Sequence, residues 1–227
     1  MRSLFLSLMS LNLQLRNWLL AISLIVTALV ALPASAKLIT PSTQTILVFG
    51  DSLSASYGVP QGQGWVALLE TKLEQKQSSK TTYKVVNASI SGETTSGGLA
   101  RFSAVLAATQ QPNIVILELG ANDGLRGLPV SEMQANLSQM IALAKTIKAK
   151  VVLIGMKIPP NYGLKYTKNF SATYTILAKQ HNIALVPFLL DGVAGKPEQI
   201  QADGLHPTAE AQPQLLENVW KILAKIL

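Results

Sequence analysis

The 227-residue chain contains no cysteine. That single absence removes a disulfide framework, a lipid-modified cysteine anchor and a cysteine nucleophile together. Histidine is nearly missing as well: there are two in the whole chain, so candidates for an imidazole base are few. Charged residues make up 14% of the sequence, and they form no polybasic cluster with interleaved aromatics, so nucleic acid is not an expected partner. No Gly-x-Gly-x-x-Gly or Gly-x-x-x-x-Gly-Lys-Ser/Thr pattern follows the first strand-like run, which argues against a nucleotide or flavin binder. There is also no internal repeat, low-complexity tract or interdomain linker.

What is present suits one globular domain with a short segment in front of it: 48% hydrophobic residues, 15 Gly and 11 Pro. The leading segment reads as a secretory signal over residues 1–36. Arg2 and Arg16 supply positive charge without any acid, and an apolar run follows from Trp18 to Leu32. Pro33 ends it, and Ala34-Ser35-Ala36 offers the small residues a signal peptidase needs. The run is shorter than the roughly 20 residues of a spanning helix, so cleavage after Ala36 is expected, with an uncleaved anchor as the alternative. Initiation at Met9 in place of Met1 would give a more ordinary leader. Residues 37–227 are then the working domain. The formal net charge is +7 with both leader arginines counted, and the scattered lysines of the domain fit a solvated basic face.

From Thr45 onward, apolar runs of strand length alternate with amphipathic stretches. The runs are Thr45–Phe49, Tyr83–Val86, Asn113–Leu119, Lys150–Ile154 and Ile183–Val186, and continuous runs of this kind suit strands buried on both faces. Helical spacing appears at Trp65, Leu68, Leu69 and Leu73, again at Met133, Leu137, Met140, Ile141 and Ala144, and over Phe170–Lys179 and Leu215–Leu227. The alternation predicts an α/β domain of three layers, α/β/α, around a five-stranded parallel sheet. Ligands of such sheets bind beyond the carboxyl ends of the strands.

Every chemically suggestive group falls in those strand-end segments. Ser52 sits in Gly50-Asp51-Ser52-Leu53-Ser54, directly after the first run. A serine hydroxyl needs an adjacent base to act as a nucleophile; alone, a serine in this position is more often a helix cap or a loop hydrogen-bonder. His206 is the candidate base, in Asp203-Gly204-Leu205-His206-Pro207, with Asp203 three residues earlier and able to reach its other ring nitrogen. Taken separately, Asp203 could be a turn residue and His206 a surface histidine. His181, at a predicted helix C-terminus, is accounted for by the helix dipole. Gly120-Ala121-Asn122-Asp123 offers the Asn122 amide as an oxyanion donor, and Ser89-Ile90-Ser91-Gly92-Glu93 a backbone N–H at Gly92. The stretch Ile158–Phe170, with Pro159, Pro160, Tyr162, Leu164 and Tyr166, is expected as a loop that walls an acyl chain, Ile158, Pro159 and Tyr162 touching substrate; ordinary loop packing is the alternative.

These blocks together resemble the SGNH, or GDSL, hydrolase superfamily, over nearly the whole chain after Thr45. The match is Ser52 in Gly-Asp-Ser-Leu-Ser, Gly92 in the second block, Asn122 in Gly-x-Asn-Asp, and Asp203 and His206 in Asp-x-x-His. Val86–Thr94, Glu118–Gly127 and Pro160–Gly163 are similar to its periplasmic thioesterase, lysophospholipase and arylesterase branch in Gram-negative bacteria. The resemblance implies a flavodoxin-like sheet, Ser52 as nucleophile, His206 as base, Asp203 as its orienter, and an oxyanion hole from the Ser52 and Gly92 N–H groups with the Asn122 side chain. It implies no metal and no cofactor, a small-molecule acyl ester or thioester as substrate, transient contact with lipid surfaces, a monomer, and export to the periplasm or beyond. Ala121 stands where a second glycine is common, and Ala55–Val59 is idiosyncratic; both bear on substrate preference. A carbohydrate O-acetyl esterase and a non-catalytic acyl- or lipid-binding protein remain the alternatives.

Overall fold

The computed structural model describes residues 41–227 apart from Ser79. The expected leader, residues 1–36, lies outside the described residues. Five strands form one parallel sheet: β1 (Ser42–Gly50), β2 (Thr81–Asn87), β3 (Ile114–Glu118), β4 (Lys150–Ile154) and β5 (Ala184–Val186), in the order β2-β1-β3-β4-β5. Six helices connect or follow them: α1 (Trp65–Glu74), α2 (Thr95–Ala108), α3 (Ala121–Leu125), α4 (Val130–Thr146), α5 (Leu164–His181) and α6 (Gln212–Leu223). Helices α2, α4 and α5 pack side by side on one face, and α1 pairs with α6 on the other. This is the three-layer α/β/α arrangement with a flavodoxin-like strand order.

The burial follows from the sequence runs. Ile114 to Leu117 in the central strand β3 and Ile46 to Phe49 in its neighbour β1 are almost fully shielded from water. Each such side chain contributes about 1.5–3 kcal/mol by leaving water. The edge strand β2 is only half-buried, and its partner residues at the start of β1 are polar, with the Thr43 and Thr82 hydroxyls 3.0 Å apart. Phe49, at the end of β1, packs edge-on against Phe102 of α2, with ring centroids 4.9 Å apart. Trp65, Leu69 and Leu73 of α1 and Leu215, Val219 and Leu223 of α6 fill the opposite side of the core.

Helix α2 is absent from the expected helices. Its sequence, Thr95-Ser-Gly-Gly-Leu-Ala-Arg-Phe, carries two glycines and little apolar periodicity, yet Thr94 caps it by accepting the Gly97 N–H at 3.3 Å. The structure also corrects the stretch Ile158–Phe170. It is a loop only to Gly163, with a short 3-10 turn at Pro160–Tyr162, and from Leu164 it is already helix α5. The exposed Leu164 and the lysines near it gave no apolar stripe there, because the first turn of α5 faces water.

The topology places the site. After β1 the chain crosses outward to β2, then returns past β1 to β3, so connections on the two sides of β1 part in opposite directions at its carboxyl end. A crevice opens where they part.

Candidate active site

Gly50 ends β1, and a tight turn follows in which Ala55 N–H donates to Asp51 O (2.9 Å) and Tyr57 N–H to Ser52 O (3.0 Å). The turn sets Ser52, half-buried, directly above the strand end. Its Oγ lies 2.8 Å from His206 Nε2, and His206 Nδ1 lies 2.6 Å from Asp203 Oδ2. Asp203 Oδ1 also accepts the Leu205 and His206 backbone N–H groups, at 2.9 and 3.0 Å. Those two N–H groups, with the imidazole adding to them, hold the Asp203 carboxyl at about 2, below the usual carboxylate range. Asp203 therefore stays charged at neutral pH.

The turn that carries this pair is tied down from behind. Ile200 and Pro207 form an isolated antiparallel bridge, and Gln201 N–H donates to His206 O at 2.7 Å. The Gln201 amide donates to Tyr57 O (2.9 Å) and Pro207 O (2.8 Å), which joins this loop to the turn after Ser52. The Tyr57 ring rests against the imidazole with centroids 4.6 Å apart.

The other side of Ser52 is built from β2 and β3. Gly92 turns with φ +80°, and Arg126 donates to its carbonyl at 2.9 Å. Gly120, with φ +117°, starts α3, and any side chain there would run into the Tyr174 hydroxyl. Asn122 is the second residue of α3, and its Nδ2 donates to Asp51 Oδ2 at 3.2 Å. Asp123, next along, is buried and accepts both the Thr95 N–H (2.8 Å) and the Thr95 hydroxyl (2.6 Å), locking α3 to the start of α2.

Two acids lie underneath that the sequence reading did not single out. Asp51 and Glu118 have no exposed surface. Burial pushes the Asp51 carboxyl up to about 6, against the pull of the Leu53 N–H, the His206 charge and the Asn122 amide. Burial also drives the Glu118 carboxyl well above its ordinary value, and the neighbouring Asp51 raises it further. The available signal for Glu118 was a lone acid inside the otherwise apolar run Ile114–Leu119.

In front of Ser52 opens a cavity of about 730 Å3. Ser52, Gly92, Asn122 and His206 form its polar floor, while Leu125, Met156, Ile158, Pro159, Phe188 and Leu190 are among its apolar walls. Asp203 stands behind His206, outside the lining. Tyr162 also stands outside: it borders a separate shallow hollow with Leu164 and Tyr166, and its hydroxyl donates to Leu125 O at 2.9 Å. The structure thus brings together Ser52, Asp203, His206, Gly92, Asn122, Ile158 and Pro159, and sets Tyr162 one layer further out. His181 lies in the last turn of α5, its Nε2 2.7 Å from the Ser138 hydroxyl, at the end of the sheet away from Ser52. Among the described residues, no group of three or more His, Asp or Glu side chains is placed to hold a metal ion.

Fold and cavity together define a hydrolase of the three-layer α/β class. Residues 48–212 match the model of the GDSL-like lipase/acylhydrolase family, and the chain belongs to that family. It is 50% identical over 186 residues to the esterase TesA of Pseudomonas aeruginosa, covering 82% of this chain and 90% of that protein. It is 41% identical over 186 residues to thioesterase 1/protease 1/lysophospholipase L1 of Escherichia coli K12, covering 82% of this chain and 86% of the relative. A crystal structure of TesA superimposes with a TM-score of 0.77 at 51% identity, covering 81% of this chain and all of that one. The chain is a hydrolase of the GDSL-like lipase/acylhydrolase family.

Proposed function

We propose that this enzyme hydrolyses acyl esters and thioesters through a covalent acyl-enzyme on Ser52. The carrying observation is the unbroken chain Ser52 Oγ, His206 Nε2, His206 Nδ1, Asp203 Oδ2 at the floor of an apolar cavity. Ser52 Oγ attacks the acyl carbonyl carbon and passes its proton to His206 Nε2. The charge on the carbonyl oxygen is taken by the Ser52 and Gly92 N–H groups and the Asn122 amide. Collapse breaks the bond to the alcohol or thiol, which leaves with the proton from His206. Water then enters, loses a proton to His206, and releases the acid and free Ser52 by the same steps.

The mostly apolar walls, Ile158 and Pro159 among them, suit an aliphatic or aryl acyl group, with lysophospholipids and acyl-CoA as the natural classes. An acetyl group alone would fill little of this volume, and a carbohydrate acetyl ester would have to place its sugar against these apolar walls. One chain supplies every group named in this mechanism, none of which is a cofactor; a monomer that meets lipid surfaces transiently is part of the same proposal. The Arg2-to-Ala36 segment supports export, with residues 37–227 acting in the periplasm of a Gram-negative cell or outside it. No helix among the described residues is long and apolar enough to cross a membrane.

The test is hydrolysis of p-nitrophenyl esters of short, medium and long acyl chains by wild type and Ser52→Ala. Wild type is expected to prefer medium or long chains, and Ser52→Ala to lose turnover while keeping its melting transition. Acetate as the sole good substrate would favour the O-acetyl esterase, and no turnover by folded wild type would favour the binding protein.

A further inference from the structure

An amide can serve an oxyanion only if its plane is held, because the terminal torsion of asparagine is broad. Helix α3 is five residues long and offers Asn122 little constraint of its own. The constraint comes from Asp51. Its Oδ2 accepts one N–H of Asn122 at 3.2 Å, and its Oδ1 accepts the Leu53 N–H at 3.0 Å, so both oxygens are committed and the carboxyl cannot turn. A carboxylate only accepts, which also fixes which end of the Asn122 amide faces it. Asn122 Nδ2 makes no second hydrogen bond among the described residues, and the residue lines the cavity.

Asp51 is seated in turn on Glu118. Glu118 Oε2 accepts the Asp51 N–H at 3.2 Å and the Ser54 hydroxyl at 2.7 Å, while Oε1 is buried without a partner. Neither acid belongs to an ion pair among the described residues. Two buried carboxyls side by side without a cation cost the fold stability, and groups retained at such a cost gather where geometry matters to function.

We propose that Asp51 is the positioning residue of the oxyanion donor: its carboxyl, braced by Glu118, holds one N–H of Asn122 so that the other faces the substrate carbonyl above Ser52. Asp51 acts through Asn122 and touches no reacting atom. The inference rests on the role given to Asn122 above.

The test is a double-mutant cycle of Asp51→Asn and Asn122→Ala in the exported enzyme, with kcat and KM measured separately on p-nitrophenyl butyrate at pH 8. Asparagine at position 51 keeps the size but turns a donor toward either Leu53 or Asn122. Asn122→Ala is expected to lower kcat about 100- to 1000-fold. Asp51→Asn is expected to lower it about 10- to 100-fold with KM within about threefold, the range seen when a group that orients a functional ligand is lost. The double variant should fall no more than about twofold below Asn122→Ala, since the positioned group is already gone. Losses that multiply would overturn the proposal and place Asp51 in the Ser52 turn alone; so would a loss carried by KM. An unchanged kcat in Asn122→Ala would sink the prior reading of Asn122, a distinguishable result. Melting curves accompany each variant, and Asp51→Ala, with room for a water, takes the place of Asp51→Asn if the latter does not fold.

Discussion

Two aspartates flank Ser52, and the molecule treats them in opposite ways. Asp203 is on a surface turn, its side chain 37% exposed, and backbone N–H groups pull its carboxyl down to about 2. Asp51 has no exposure and no ion-pair partner among the described residues, and burial pushes its carboxyl up to about 6. In the proposed mechanism the first must stay charged beside an imidazole that becomes an imidazolium in every cycle. The second needs only to accept two N–H groups and stay still. A carboxyl meant for charge is kept near water and dressed with donors, whereas one meant for geometry is sealed into the sheet.

The comparison can be broken most severely at Asp203. Asp203→Asn leaves the imidazole without a charged partner and offers it the wrong tautomer, so kcat should fall about 10000-fold with little change in melting temperature. A variant that keeps more than about a tenth of the activity would remove Asp203 from the proton path. The buried side is sharpened by Glu118→Gln, read as stability against pH. An acid whose folded value is raised binds its proton more tightly when folded, so its contribution is best at low pH and declines as pH rises above 4.5. Wild type and variant should melt alike near pH 4.5, and the variant should gain on wild type toward pH 8, by about 2–4 °C for each kcal/mol relieved. A gap that does not grow with pH would mean that Glu118 is not titrating as a buried acid. The smallest effect belongs to His181→Ala. Burial and Lys145 lower this histidine, and its contact is Ser138, so kcat/KM should stay within about twofold of wild type. An inactive variant would mean that the wrong histidine has been taken as the base.

The same contrast between surface and interior decides what the sequence disclosed. Strands β1, β3 and β4 were legible because a strand buried on both faces must be apolar at consecutive positions, as Ile46 to Phe49 and Ile114 to Leu117 are. The residues around Ser52 were legible because reactive groups crowd the strand ends. Helix α2 was hidden because the first half of its buried face is small or polar: Thr95 and Gly98, the latter tight against Leu119 and Phe49, precede Phe102 and Leu106, so only its second half reads as apolar. The first turn of α5 was hidden for the opposite reason, since Leu164 faces solvent and Tyr162 supports the Leu125 carbonyl from outside the cavity. Glu118 gave only the signal of one acid in an apolar run, and its bond to the Ser54 hydroxyl spans 64 positions in the chain. A contact of that separation leaves no local pattern.

Asp203 and His206 share one turn, three residues apart, pinned by the Ile200–Pro207 bridge. The imidazole and the carboxylate it bonds are therefore carried as one rigid piece. Insertions or deletions between Pro187 and Lys196 can reshape the cavity rim, where Phe188, Leu190 and Ala194 stand, without pulling that pair apart. The rim can thus be remodelled without moving the hydrogen-bonded chain at the floor.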